Sequence, residues 1–178
     1  MTTGTWDRHR GHSLGYDVVA TGFNYRMDEP RAALLESRMT GLASDIAARR
    51  RLTHRYRAAL RDAKGVNLPY RDEQVDRSSC YVMALTLDDP TLQTPLRELM
   101  KERWNVQTSL LYPAIHEFTA YLDSQDHPLP RAERIARSQV TVPLYPDLTE
   151  SDQDRVIEAV REGMAELQGT PVSAGGEG

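Results

Sequence analysis

The apolar positions change their period once, near Gly65, and that change organises the chain. Upstream of it, Asp28-Glu29-Pro30 has the marks of a helix start: an aspartate to cap free N–H groups, an acidic first turn, and a proline whose missing N–H costs little there. Leu35, Met39, Leu42 and Ile46 follow at spacings of four, three and four, which place them on one helical stripe. Leu52, Tyr56 and Leu60 continue at four-residue spacing, after a phase shift beside Arg49-Arg50-Arg51. Gly65 supplies a stop. The pattern thus predicts one long helix over 29–64, with Gly41 and the arginine run as the places for a bend. A helix of that length suits a strut linking two domains.

Past Gly65 the elements are short. Strands are predicted at 66–70, 79–87 and 106–112, the last closed by Pro113, with a helix at 95–104 between them. Leu129-Pro130 opens a short helix reaching about Ser138, and 140–144 is extended. Thr149 with Asp152 three residues on makes a capping start, and Val156, Ile157, Val160, Met164 and Leu167 form the apolar face of a last helix. Residues 1–27 show no helical period, and the glycine-rich stretch 169–178 shows no apolar pattern, which predicts a disordered tail. The expected class is α/β: a segment 1–28, a long linking helix 29–64, a compact α/β unit 65–168, and the tail 169–178.

Composition narrows the function classes. Hydrophobic residues make up 39% and charged residues 27% of 178, the balance of a globular protein. No stretch approaches the roughly 20 apolar residues that span a bilayer, and the first ten residues lack a signal-peptide core, so no membrane partner and a cytoplasmic location are expected. The net charge of −4 argues against nucleic acid. The one cysteine, Cys80, excludes an internal disulfide and any multi-cysteine metal site; its apolar run 80–85 makes it a buried structural thiol. No metal site is expected. The arginines Arg49, Arg50, Arg51, Arg55 and Arg57 read as a solvated or interface face of the helix rather than a phosphate site. Only Lys64 and Lys101 are lysines.

Three segments could carry chemistry. Gly22-Phe23-Asn24-Tyr25-Arg26-Met27 stands just before a helix start, where an amide and a guanidinium suit an anion such as a phosphate. The competing reading is that Asn24 shapes a turn and Arg26 pairs with a surface acid. Leu111-Tyr112-Pro113-Ala114-Ile115-His116 brings a phenol and an imidazole to a strand end, either as functional groups or in satisfied structural roles. Val142-Pro143-Leu144-Tyr145-Pro146 argues mostly for a turn. Nucleotide-binding glycine loops, zinc spacings and serine-hydrolase elbows are missing from the sequence.

Read in order, these segments, with Gly15-Tyr16-Asp17, Ala32-Ala33-Leu34, Tyr121 and Leu129-Pro130-Arg131-Ala132-Glu133, resemble the DegT/DnrJ/EryC1/StrS sugar aminotransferases. The resemblance runs from about Gly11 to Leu167. It implies the small C-terminal domain of a fold-type-I pyridoxal-phosphate (PLP) enzyme that works as a dimer, moving an amino group from L-glutamate to a keto-sugar nucleotide. It further implies that Asn24 reaches the PLP phosphate of a neighbouring subunit, with Arg26, Tyr112 and His116 as candidates for the sugar-nucleotide pocket. Leu111 stands where the family often has histidine, so no role for a histidine transfers to that position.

The same resemblance implies a large N-terminal domain that brings the Schiff-base lysine, and Met1 falls past that lysine. Lys64 and Lys101 sit in charged, surface-like contexts, whereas a Schiff-base lysine needs a sheltered pocket. No catalytic residue is therefore expected in these residues. Three readings stay open: part of an aminotransferase, active only with a PLP-bearing large domain; a non-catalytic partner module that complements a full-length paralogue; or a chain whose true start lies upstream. The apolar stripe Leu35, Met39, Leu42 and Ile46 is expected to be partly exposed, inviting homo- or hetero-oligomers.

Overall fold

The computed structural model describes residues 25–118 and 128–169. Asn24, Tyr121 and residues 170–178 of the predicted tail lie outside the described residues. The chain divides after Gly41 into two compact units.

In the first unit, α1 spans Glu29–Met39. Asp28 is its cap, accepting from the N–H of Arg31 at 2.9 Å, and Pro30 sits in the first turn, as the sequence predicts. The predicted single helix is instead two. Thr40 turns its hydroxyl back to the carbonyl of Ser37 at 2.8 Å, Gly41 follows, and α2 begins anew at Leu42–Leu60. A hydroxyl that competes for helix carbonyls, next to a glycine, is a weak point in any helix. The arginine run causes no break, and α2 passes straight through it.

The second unit holds the core. A three-stranded antiparallel sheet has the order β1 (Val66–Asn67), β2 (Met83–Leu87), β3 (Gln139–Val142). Met83 faces Val142 and Val66 faces Leu87 in register. Met83, Leu85 and Leu87 alternate inward along β2, meeting Val140 and Val142 on the same face. Between the sheet's strands the chain forms the short α3 (Asp72–Val75), which sequence did not predict, and α4 (Gln93–Trp104). Then come α5 (Pro130–Ser138) and the last helix α6 (Glu150–Leu167), capped by Thr149. Helices α4 and α2 both pack on α6. Tyr56, Leu60, Leu96, Met100 and Val160 are wholly buried in the resulting core.

Three predicted strands are shorter than the sequence suggests, each for a local reason. The first ends before Pro69 and Tyr70, whose φ of 67° cannot continue a strand. The second starts late because Cys80 adopts φ 49°. The third survives as a single bridge, in which Ser109 and Thr141 exchange N–H···O bonds of 3.0 and 2.8 Å. Cys80 itself is buried, as expected, with its Sγ 3.7 Å from the carbonyl of Val75.

The arginines of α2 do something the sequence reading missed. Arg49 donates to the carbonyls of Tyr81 and Leu144, Arg50 to that of Ser78, and Arg55 to Gln153 and Asp154. Arg57, 9% exposed, bonds the Asp72 carboxylate at 2.6 Å and the carbonyls of Pro69 and Tyr70 at 2.8 Å. Arg49, Arg50 and Arg57 tie the helix to loops of its own unit, and Arg55 ties it to α6. Long planar donors suit that task, because one guanidinium can satisfy several loop carbonyls at once.

Candidate functional site

The Leu111–His116 segment leaves the Ser109 bridge and brings His116 against Glu133 in the first turn of α5. Its side chains differ sharply in exposure. Tyr112 is 73% exposed, whereas only 14% of the His116 side chain is open to solvent. His116 lies in a 3-10 turn, Ile115–Glu117, and its Nε2 is 3.2 Å from Oε1 of Glu133. Two sequence segments that the family resemblance singled out separately thus meet at one pair.

Glu133 is placed there by the start of α5. Leu129 occupies the cap position with no side-chain acceptor of its own, so Glu133 folds back and accepts the Leu129 N–H at 3.0 Å. That N–H, and next the His116 ring, hold the Glu133 carboxyl below the usual carboxylate range. Arg137, one turn on, bonds Glu117 at 2.6 Å and stands 3.9 Å from the other Glu133 oxygen. At the opposite end of the segment, the buried Gln139 amide, turned so that its oxygen faces donors, accepts from the N–H groups of Leu111 at 2.9 Å and Tyr112 at 3.2 Å. Sequence reasoning missed Glu133 and Gln139 as supports. The signal for Glu133 was present in part: an acid four residues after a cap position that cannot cap itself.

Arg26 belongs to the other unit, exposed in the extended stretch before α1. Among the described residues it forms no ion pair. The helix end beside it is less free for an anion than expected, because the Asp28 carboxylate already takes up the Arg31 N–H. Asn24 lies outside the described residues.

Two further clefts among the described residues do not supply a cofactor seat. One of about 430 Å³ is lined by Arg57, Arg61, Asn67, Tyr70 and Arg71, but Arg57 and Arg61 are both occupied by Asp72. The second, of about 370 Å³, is lined by Tyr81, Gln107, Thr108, Ser109 and Thr141 and holds no charged group. Lys64 and Lys101 are both exposed. No group of three or more metal-ligating side chains occurs among the described residues, nor any helix long and apolar enough to cross a membrane.

A family model, the DegT/DnrJ/EryC1/StrS aminotransferase family, matches residues 3–161. The chain belongs to this family. Its members are PLP-dependent aminotransferases. The chain is 33% identical over 167 residues to a dTDP-3-amino-3,4,6-trideoxy-alpha-D-glucose transaminase of Micromonospora megalomicea subsp. nigra, covering 90% of this chain and 44% of that protein. The aminotransferase TlmJ from Streptoalloteichus hindustanus shares the fold with a TM-score of 0.75 and 26% identity, over 87% of this chain and 41% of that one. DesV of S. venezuelae, solved with a ketimine intermediate, gives a TM-score of 0.71 and 28% identity, over 86% and 41%. The chain therefore spans about two fifths of the length of these relatives. A small α/β domain of an aminotransferase accounts for the sheet and the helices packed beside it. As a PLP seat the described residues do not suffice, because both lysines are exposed and neither gives a sheltered amine.

Proposed function

We propose that this chain forms the C-terminal part of a PLP-dependent aminotransferase acting on a keto-sugar nucleotide, with L-glutamate as amino donor. The identity to a nucleotide-sugar transaminase over 90% of the chain carries this reading. In it, residues 1–28 are the interface segment, 29–64 the helical link, 65–168 the small domain and 169–178 a tail. Asn24 contacts the PLP phosphate of a neighbouring subunit, and Arg26, Tyr112 and His116 border the sugar-nucleotide pocket. A PLP-bearing large domain, on the same polypeptide or a separate one, brings the lysine, because Lys64 and Lys101 are exposed and well hydrated. The cofactor supplies the electron sink when bound, and these residues supply binding and orientation.

The test uses the 178-residue chain with one equivalent of PLP, borohydride reduction and peptide mass spectrometry. No stoichiometric pyridoxyl group should appear on Lys64 or Lys101; one that vanished in Lys64→Ala or Lys101→Ala would overturn the reading. The exposed lysines suit equally a non-catalytic module that lends Asn24 to a full-length aminotransferase. Mixing separates the two. Turnover restored by a PLP-bearing large domain alone supports the split enzyme, whereas restoration only by a full-length paralogue supports the module.

A further inference from the structure

We infer that Glu133 and Gln139 are positioning residues: they grip the two ends of the Leu111–His116 segment and set where its phenol and imidazole meet a hydroxylated ligand. The inference deepens the reading above, and rests on it for the ligand.

An exposed loop ordinarily satisfies its backbone with water. Here the N–H groups of Leu111 and Tyr112 go to a side chain that is 5% exposed. Burying an amide to hold a loop costs desolvation and rotamer entropy, which a passive connection would not require. Gln139 is itself anchored: its backbone carbonyl accepts from the Gln93 amide at 2.7 Å, and Gln93 also reaches the carbonyl of Ala136 at 3.2 Å. The loop is thereby tied, through Gln139, to the core helix α4. At the other end, one oxygen of Glu133 takes both the Leu129 N–H and the His116 ring. Five residues at the end of α5 thus separate two clamps on one loop.

The chemistry of the second clamp has a direction. A carboxylate can only accept, so the Nε2 of His116 carries the hydrogen. In the neutral ring Nδ1 is then an acceptor, and among the described residues it has no partner. Such an atom matches a ligand hydroxyl, as does the exposed Tyr112 phenol nearby in sequence. Fixing these groups in advance spares the ligand the entropy of ordering them.

The experiment is hydrogen exchange by NMR on the native chain, followed by kinetics of the assembly with a PLP-bearing large domain. The Leu111 and Tyr112 amides should be protected, and Gln139→Ala should speed their exchange about tenfold, the loss of one hydrogen bond's worth. Glu133→Ala should abolish the slowly exchanging Nε2 proton of His116 while leaving the core amides of Leu85 and Val140 protected. In the assembly, either alanine variant should raise KM for a keto-sugar nucleotide about five- to tenfold and lower kcat less, and Glu133→Gln, which keeps an acceptor, should recover most of the loss. Unprotected Leu111 and Tyr112 amides in the native chain would overturn the inference. So would lost protection with unchanged KM, or a Glu133→Gln variant as poor as alanine. An assembly that turned over no keto-sugar nucleotide while the exchange pattern held would sink the sugar reading and not the clamps.

Discussion

Helices α1 and α2 both carry apolar residues at helical spacing in sequence, yet the two halves meet different fates. No residue of α1 is buried, and Leu34, Leu35 and Met39 are each at least half exposed. In α2 the exposure falls along the helix, from Leu42 near its start to Tyr56 and Leu60 at 0%. Periodicity reports which side of a helix is apolar; it carries no information on whether that side has something to cover it. The α2 half has the sheet and α6, and five of its residues are buried. The α1 half leaves Leu34, Leu35 and Met39 exposed.

The sharpest way to break this comparison is a pair of alanine substitutions. Leu60→Ala should cost about 3 kcal/mol or more in urea unfolding, since it opens a cavity in a close-packed core. Leu35→Ala should stay within about 0.5 kcal/mol. Equal costs would mean that α1 is packed after all. A smaller effect tests the turn after α2. Gly65 has φ 72°, so Gly65→Ala should destabilise by about 1 kcal/mol through backbone strain.

The loop clamp made by Arg57 gives a pH test. Its side-chain hydrogen bond is the main cause holding the Asp72 carboxyl below the usual range. A group whose folded pKa is depressed stabilises the fold above its unfolded pKa, and that contribution is lost as pH falls through the folded one. Acid should therefore loosen the native chain through Asp72, and the Asp72→Asn variant should show a flatter stability profile below the ordinary carboxylate range. An unchanged profile would remove Asp72 from the account. The smallest stability effect belongs to Leu35→Glu with Met39→Glu. It should barely move the unfolding midpoint, yet shift sedimentation from dimer or larger species to monomer. A chain already monomeric before substitution would end the idea that this stripe serves association.

Much of the site was legible in the sequence as a set of segments, and little of it as a geometry. Tyr112 and His116 could be singled out because a strand end with a phenol and an imidazole is a recognisable arrangement. Their supports could not. His116 and Glu133 are seventeen positions apart, and Gln139 reads as an unremarkable polar residue at a strand start. The arginines of α2 show the same limit, because a basic run looks like a solvated face until the carbonyls it reaches are known.

By itself, the sequence determined the α/β class, the capped starts of α1 and α6, the burial of Cys80 and the family. Each of these is set by a residue and its near neighbours, through backbone caps, side-chain period or motif order. Tertiary structure alone decided which of the two helices has its apolar side covered, how little of the third strand pairs, and that Glu133 and Gln139 meet the Leu111–His116 loop. Those outcomes depend on partners distant in the chain, and a hydrogen bond or a buried face exists only once both partners have been brought together.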